Sequence, residues 1–181
     1  MKVRTANVLG AVALLVGDRM AGAVAGAAGH SITAATALSA LHHFLDRPSI
    51  DQLHRVLGLS SSGTVRLVDR LAADGLVMRS PGADARSTVV SLTDAGRAAA
   101  ARVAEARTDV LSDMLDLVTP DDRAALERVA SRMLAAVMLG PGPPPWVCRL
   151  CDTVACGHGD GGCPISMAVA DARRSGTGEG A

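Results

Sequence analysis

The chain has 181 residues, one ordinary domain and a small appendix, and 49% of them are hydrophobic, enough for a folded core. Its 18 basic and 18 acidic residues cancel, which excludes both a polybasic protein held to nucleic acid by bulk charge and an acidic solvating chain. One Phe, one Trp and no Tyr leave the core to Ala, Leu, Val and Met, which favours closely packed helices. Lys2 is the only lysine, so recognition of phosphate or carboxylate falls to guanidinium forks.

Residues 5–28 read as a first helix ending near Gly29. Val8, Val12, Leu15, Val16, Met20, Val24 and Ala27 recur along it at three- and four-residue steps. The charged start, the apolar run and the small residues after it also follow the order of a signal peptide. Asp18 and Arg19 interrupt that run, leaving it short of the roughly 18 to 20 residues that span a bilayer. The preferred reading is an amphipathic helix packed on a partner, in a cytoplasmic protein without membrane contact.

Ser31 or Thr33 caps a second helix running to about Leu45, which Asp46, Arg47 and Pro48 break. Ser49 and Gln52 then fit a capping box, opening a short helix that turns Ile50, Leu53 and Val56 or Leu57 inward and stops at Gly58. A serine among Ser60, Ser61 and Ser62 caps the next helix, which runs to about Asp74 and stops at Gly75. Two helices joined by a tight Gly-containing turn form a helix-turn-helix. Val65, Val68 and Leu71 or Ala72 are expected to pack back. Ser61, Ser62, Arg66 and Arg70 are expected to face outward.

The period then changes. Residues 76–79 and 87–92 are short β-rich runs around a turn-rich stretch, which predicts a β-hairpin, a wing after the helix-turn-helix. Thr93 and Asp94 start a long helix to about Val118 with Val103, Val110, Met114 and Leu117 as its stripe. Thr119, Pro120, Asp121 and Asp122 restart the chain into a last long helix carrying Leu126, Val129, Met133, Leu134 and Val137. Gly and Pro residues over 141–145 form a stiff linker. A cysteine module fills 146–174, with a short helix from Ile165 to Arg173, and 175–181 reads as a disordered tail.

The run LSSSGTVRLVDRLAADGLVMR at 59–79, the Asp84-x-Arg86 pair and LTDAG at 92–96 resemble the MarR family of winged helix-turn-helix regulators. The similarity in element order covers roughly residues 5–139 and is specific over 59–96. It implies a mainly α fold over residues 1–140, with a DNA-binding core at 31–96 and dimerisation helices at 5–28 and 93–139. It also implies an obligate homodimer whose two recognition helices read a palindromic operator in double-stranded DNA, with a wing arginine in the adjacent minor groove. The DNA-facing set is then Ser60, Ser61, Ser62, Thr64, Arg66, Arg70, Asp84 and Arg86. By their own chemistry, Arg66 and Arg70 suit phosphates or guanine edges, and the serines near a helix N-terminus suit phosphate. Arg86 suits a narrow minor groove, with Asp84 orienting it. Two features depart from the family pattern: Gly63 inside the recognition helix, which costs up to about 1 kcal/mol of helix propensity against Ala, and the extra C-terminus. Four Arg against three Asp between residues 60 and 90 give that region a net charge of only +1, so charge alone leaves a protein-binding helix-turn-helix open.

All four cysteines, Cys148, Cys151, Cys156 and Cys163, lie within 16 residues, spaced Cys-x2-Cys-x4-Cys-x6-Cys. That crowding suits one metal knuckle rather than a disulfide framework. Zinc favours four thiolates in a structural role; an iron–sulfur cluster and a thiol/disulfide switch are the alternatives, and Cys163-Pro164 resembles the end of some cluster motifs. His158 and Asp152 are spare ligands. So short a loop needs a staple, and the stiff linker suggests a module that folds nearly independently. His30, His42, His43 and His54 form no clear metal pair and read as surface or interface residues.

No nucleophile–base pair or phosphate-binding Gly loop is evident, so an enzyme is not expected. The leading function is a transcriptional regulator, a repressor released by a small-molecule effector or by a redox or metal signal. The alternatives are an iron–sulfur redox protein and a zinc-stabilised protein-interaction module.

Overall fold

Polar caps set most of the helix starts in the computed structural model, which describes residues 2–82, 87–141 and 147–176. The helices are α1 (Lys2–Ala28), α2 (Ile32–His43), α3 (Ile50–Leu57), α4 (Ser61–Ala73), α5 (Asp94–Leu115), α6 (Pro120–Leu139) and α7 (Pro164–Gly176). Ser31, Ser49, Ser60, Thr93 and Thr119 each accept a backbone N–H of the first turn they precede. The capping box at α3 is complete: Gln52 N–H donates to Ser49 Oγ at 3.1 Å and Ser49 N–H donates to Gln52 Oε1 at 2.8 Å. Gly58 closes α3 in the left-handed conformation at φ 65°.

Strands β1 (Val77–Pro81) and β2 (Thr88–Leu92) pair antiparallel from Val77 opposite Leu92 to Pro81 opposite Thr88. A single bridge from Ser49 to Val89 adds the entrance of α3 to the edge of this wing. The core lies where α2, α3, α4, the wing base and the adjoining halves of α1 and α5 meet. Leu38, Leu53, Val68, Leu71, Val90 and Val103 are fully buried in it. α1 and α2 both pack along α5, and α6 packs on α7.

Gly96 marks the tightest joint. A Cβ there would stand 1.8 Å from the Leu76 carbonyl oxygen, so only glycine lets the start of α5 pass the start of the wing. Thr93 holds the joint, its hydroxyl donating to the Gly75 carbonyl at 2.6 Å and its N–H to the Leu76 carbonyl at 3.1 Å.

Several expectations need correction. α1 is long and apolar enough to cross a membrane by length and composition, because Asp18 and Arg19 still leave an 18-residue window of hydropathy 1.7. From Met20 onward that helix packs on the core, while nearly all of the residues before Met20 stay exposed. α5 stops at Leu115, which leaves Leu117 and Val118 exposed beyond it. α7 runs on through Ser175 and Gly176, so those two residues are helical rather than part of a tail. The rest of the tail, 177–181, and linker residues 142–145 lie outside the described residues, as does Trp146.

Candidate nucleic-acid interface and thiol cluster

α4 presents one outward face. Ser61, Ser62, Val65, Arg66, Asp69 and Arg70 are exposed along it, while Leu67, Val68 and Leu71 turn to the core. Ser60 caps it, accepting from Gly63 N–H at 3.1 Å, with Ser62 Oγ 3.3 Å from the same oxygen. Two expected orientations are reversed. Thr64 is fully buried, and its hydroxyl donates to the Ser60 carbonyl at 3.1 Å, so it is removed from the outward set. Val65, expected to pack inward, is 38% exposed beside Arg66. An apolar side chain on such a face can meet a thymine methyl.

The structure accounts for Gly63. A Cβ at that position would lie 3.1 Å from Ser60 Oγ, crowding the atom that caps the helix. The propensity lost by glycine is set against an undisturbed cap.

A residue that sequence reasoning missed organises the charge. Arg79 on β1 pairs with Asp69 at 2.8 Å and donates to the Val65 carbonyl at 3.4 Å. Asp69 is thereby neutralised across 10 residues of sequence, from helix to strand. Among the described residues no ion pair engages Arg66 or Arg70, so the pairing of Asp69 with Arg79 leaves the region's net charge unchanged but leaves these two guanidiniums free of a carboxylate on the outward face. No helical spacing links 69 to 79; the signal was only that an arginine followed the turn after α4. Asp84 and Arg86, expected at the wing tip, lie outside the described residues.

The four cysteines are free thiols and electrostatic neighbours. Burial pushes the Cys148 thiol up, and Cys151 and Cys163 beside it push the same way. Cys156 is pushed up to about 12 by burial and by hydrogen bonds with Cys163 and Cys151. Burial also acts to raise Cys163, but hydrogen bonds from the Ser166 backbone, His158, the Ser166 hydroxyl and Cys156 outweigh it and bring that thiol down to about 6. His158 Nδ1 lies 3.2 Å from Ser166 Oγ, which links two of the groups that hydrogen-bond Cys163. Asp152 is occupied as a loop cap, accepting from Val154 N–H at 2.9 Å and Ala155 N–H at 3.0 Å. Among the described residues no group of three or more His, Cys, Asp or Glu side chains is closed into a metal-holding cluster. The thiols stand as hydrogen-bonded neighbours rather than as a finished cage.

The module is docked rather than independent. Leu150 packs against the main core, and Thr153 Oγ1 donates to the His43 carbonyl at 3.1 Å.

A winged helix-turn-helix on long helices is a regulator architecture, and comparison with known proteins places it. The MarR family model matches residues 28–87. RV1404 from Mycobacterium tuberculosis is 26% identical at a TM-score of 0.64, over 75% of this chain and 93% of that one. The transcriptional repressor CouR, bound to a 23-mer DNA duplex, is 26% identical at a TM-score of 0.56, over 70% of this chain and 89% of that one. Wild-type apo MarR from E. coli is 22% identical at a TM-score of 0.59, over 70% of this chain and 96% of that one. No curated protein sequence matches the chain. The chain therefore has the MarR winged-helix regulator fold. The cysteine module lies beyond the residues that the family model matches.

Proposed function

We propose that the chain is a MarR-family, sequence-specific DNA-binding transcriptional regulator, a cytoplasmic repressor that binds a palindromic operator as a homodimer. The observation that carries this reading is the outward face of α4, where Arg66 and Arg70 stand without acidic partners among the described residues while Arg79 takes Asp69. The DNA-bound state of CouR supports the same reading by likeness. Major-groove contacts come from Arg66, Arg70 and Val65, phosphate contacts from Ser60, Ser61 and Ser62, and a minor-groove contact from Arg86, with Asp84 beside it.

The dimer is supported by faces that one chain leaves uncovered. α6 buries no residue of its own, and Leu126, Val129, Met133 and Val137 are exposed on it. Val8, Val12 and Leu15 are exposed on the first half of α1. Apolar stripes on two long helices are covered by a second copy. The module holds one Zn2+ through Cys148, Cys151, Cys156 and Cys163, because four soft thiolates suit zinc and 16 residues have no core of their own. Release from the operator follows a small-molecule effector or a change at these thiols.

Light scattering should give twice the chain mass of 18.3 kDa. A mobility shift on random duplex DNA should weaken steeply between about 50 and about 200 mM salt. A monomer mass, or no shift at either salt, refutes the reading. Iron with sulfide and a visible absorption band would replace zinc by a cluster.

A further inference from the structure

The docked module touches the end of α2. The His43 carbonyl is among the last carbonyls of that helix, which lack helical donors, and Thr153 supplies one. Met20 of α1 and Arg107 of α5 line a cleft with Val147, Leu150 and Cys151 of the module. A second cleft joins His43 and Phe44 to Thr153 and His158. Asp152 brings its charge near His43 and Arg107.

The segment that follows α2 is tied to the reading head. Arg47 sits at φ 45°, a conformation that L side chains rarely adopt, so its neighbours must hold it there. Its guanidinium donates to Ser80 Oγ at 3.2 Å. Val90 N–H donates to the Pro48 carbonyl at 3.0 Å, and Ser49 bridges Val89 while capping α3. Residues 43–49 thus run from the thiol module at one end to the wing and the helix-turn-helix at the other.

We propose that the four cysteines form a sensory metal site, whose occupancy by a thiophilic divalent cation, Zn2+, sets DNA affinity through the docking of the module on the end of α2. This rests on the DNA-binding reading and on the zinc ligands given above. A loop without an apolar core owes its fold to the metal, so metal holds Thr153 and Leu150 in place and its loss releases both. Residues 43–49 then lose the contact at their upstream end. Ordering that segment before DNA arrives removes an ordering cost from binding, so the loaded protein binds DNA more tightly. The coupling falls in the ordinary range for two linked sites, about 5- to 150-fold.

The test uses the full-length protein and a duplex that the zinc-loaded protein enriches from a random-sequence pool. Elemental analysis follows the metal, and fluorescence anisotropy follows the Kd. Chelation that removes one zinc per chain should raise the Kd about 5- to 150-fold, and added Zn2+ should restore it. Thr153→Val keeps all four thiols; it should retain zinc, bind the duplex less tightly when loaded, and narrow the gap between loaded and stripped protein. Equal affinity of loaded and stripped wild type, with zinc loss confirmed, overturns the coupling and leaves the metal site standing. Tighter binding after stripping overturns the ordering argument. Absence of bound zinc overturns the site itself, and a pool that enriches no sequence overturns the DNA-binding reading.

Discussion

Gly96→Ala is the sharpest test of how the wing is joined to the long helix. The added Cβ would lie 1.8 Å from the Leu76 carbonyl oxygen and 2.9 Å from its carbon, both backbone atoms. Relief requires the start of α5 or the start of β1 to move by more than an ångström, because rotation of a side chain cannot help. Overpacking of this kind costs about 3 kcal/mol. Movement of Leu76 also strains the hydrogen bond from Thr93 N–H, worth about 1 kcal/mol. Alanine returns about 1 kcal/mol of helix propensity, leaving a net loss of about 3 kcal/mol. Ala98→Gly is the reference, since it lies exposed on the same helix and should lose about 1 kcal/mol by propensity alone. Urea unfolding at one fixed protein concentration gives both values, because a dimer's midpoint moves with concentration. A Gly96→Ala protein as stable as wild type, or more stable than Ala98→Gly, would refute the close approach.

Arg66→Ala should cost about 1–3 kcal/mol of binding and relax preference at one position of the enriched duplex, read by competition between duplexes; equal losses on every sequence would reassign Arg66 to phosphate contact. Arg79→Ala should weaken DNA binding by leaving Asp69 unpaired on the reading face, and Asp69→Asn in that background should recover it; no recovery would assign Arg79 its own contact. Burial, then His42, with Arg107 adding and Asp152 opposing, hold the His43 pKa below its ordinary value of 6.5. The unfolded chain therefore takes up a proton below about pH 6.5 that the folded chain takes up only at lower pH, so stability should fall as pH drops through that window. His43→Gln should flatten this slope in urea midpoints, and an unchanged slope would place the titration elsewhere.

Local rules were legible in the residues, and contacts between distant segments were not. The capping box at Ser49, the left-handed stop at Gly58 and the proline restart at Pro120 depend on neighbours within a few positions, and each lies where its residue types put it. The outward face of α4 holds Ser61, Ser62, Arg66 and Arg70 as their polarity predicts, and only Thr64 and Val65 exchange places. Thr64 can be buried because its hydroxyl is satisfied by the Ser60 carbonyl four residues back, and Val65 is left on the outward side. The pair between Asp69 and Arg79 needs the turn at Gly75 to fold β1 back along the helix, so no helical spacing could announce it.

The cysteine module makes the same point at longer range. Its spacing crowds four thiols into one short loop, and the structure brings them within electrostatic and hydrogen-bonding reach of one another. The glycines and prolines before it suggested independence, but a stiff linker limits where a module can reach and says nothing about what it touches there. Touching is decided by a threonine hydroxyl that finds an orphaned helix carbonyl 110 residues away, and by a leucine that finds the edge of a core. Each contact is small, and each satisfies a group that α2 or the core would otherwise leave to water. These contacts join the thiol loop to α2 and the core, while α7 anchors the other end of the module on α6. Whatever folds or unfolds the thiol loop therefore has leverage on the end of α2.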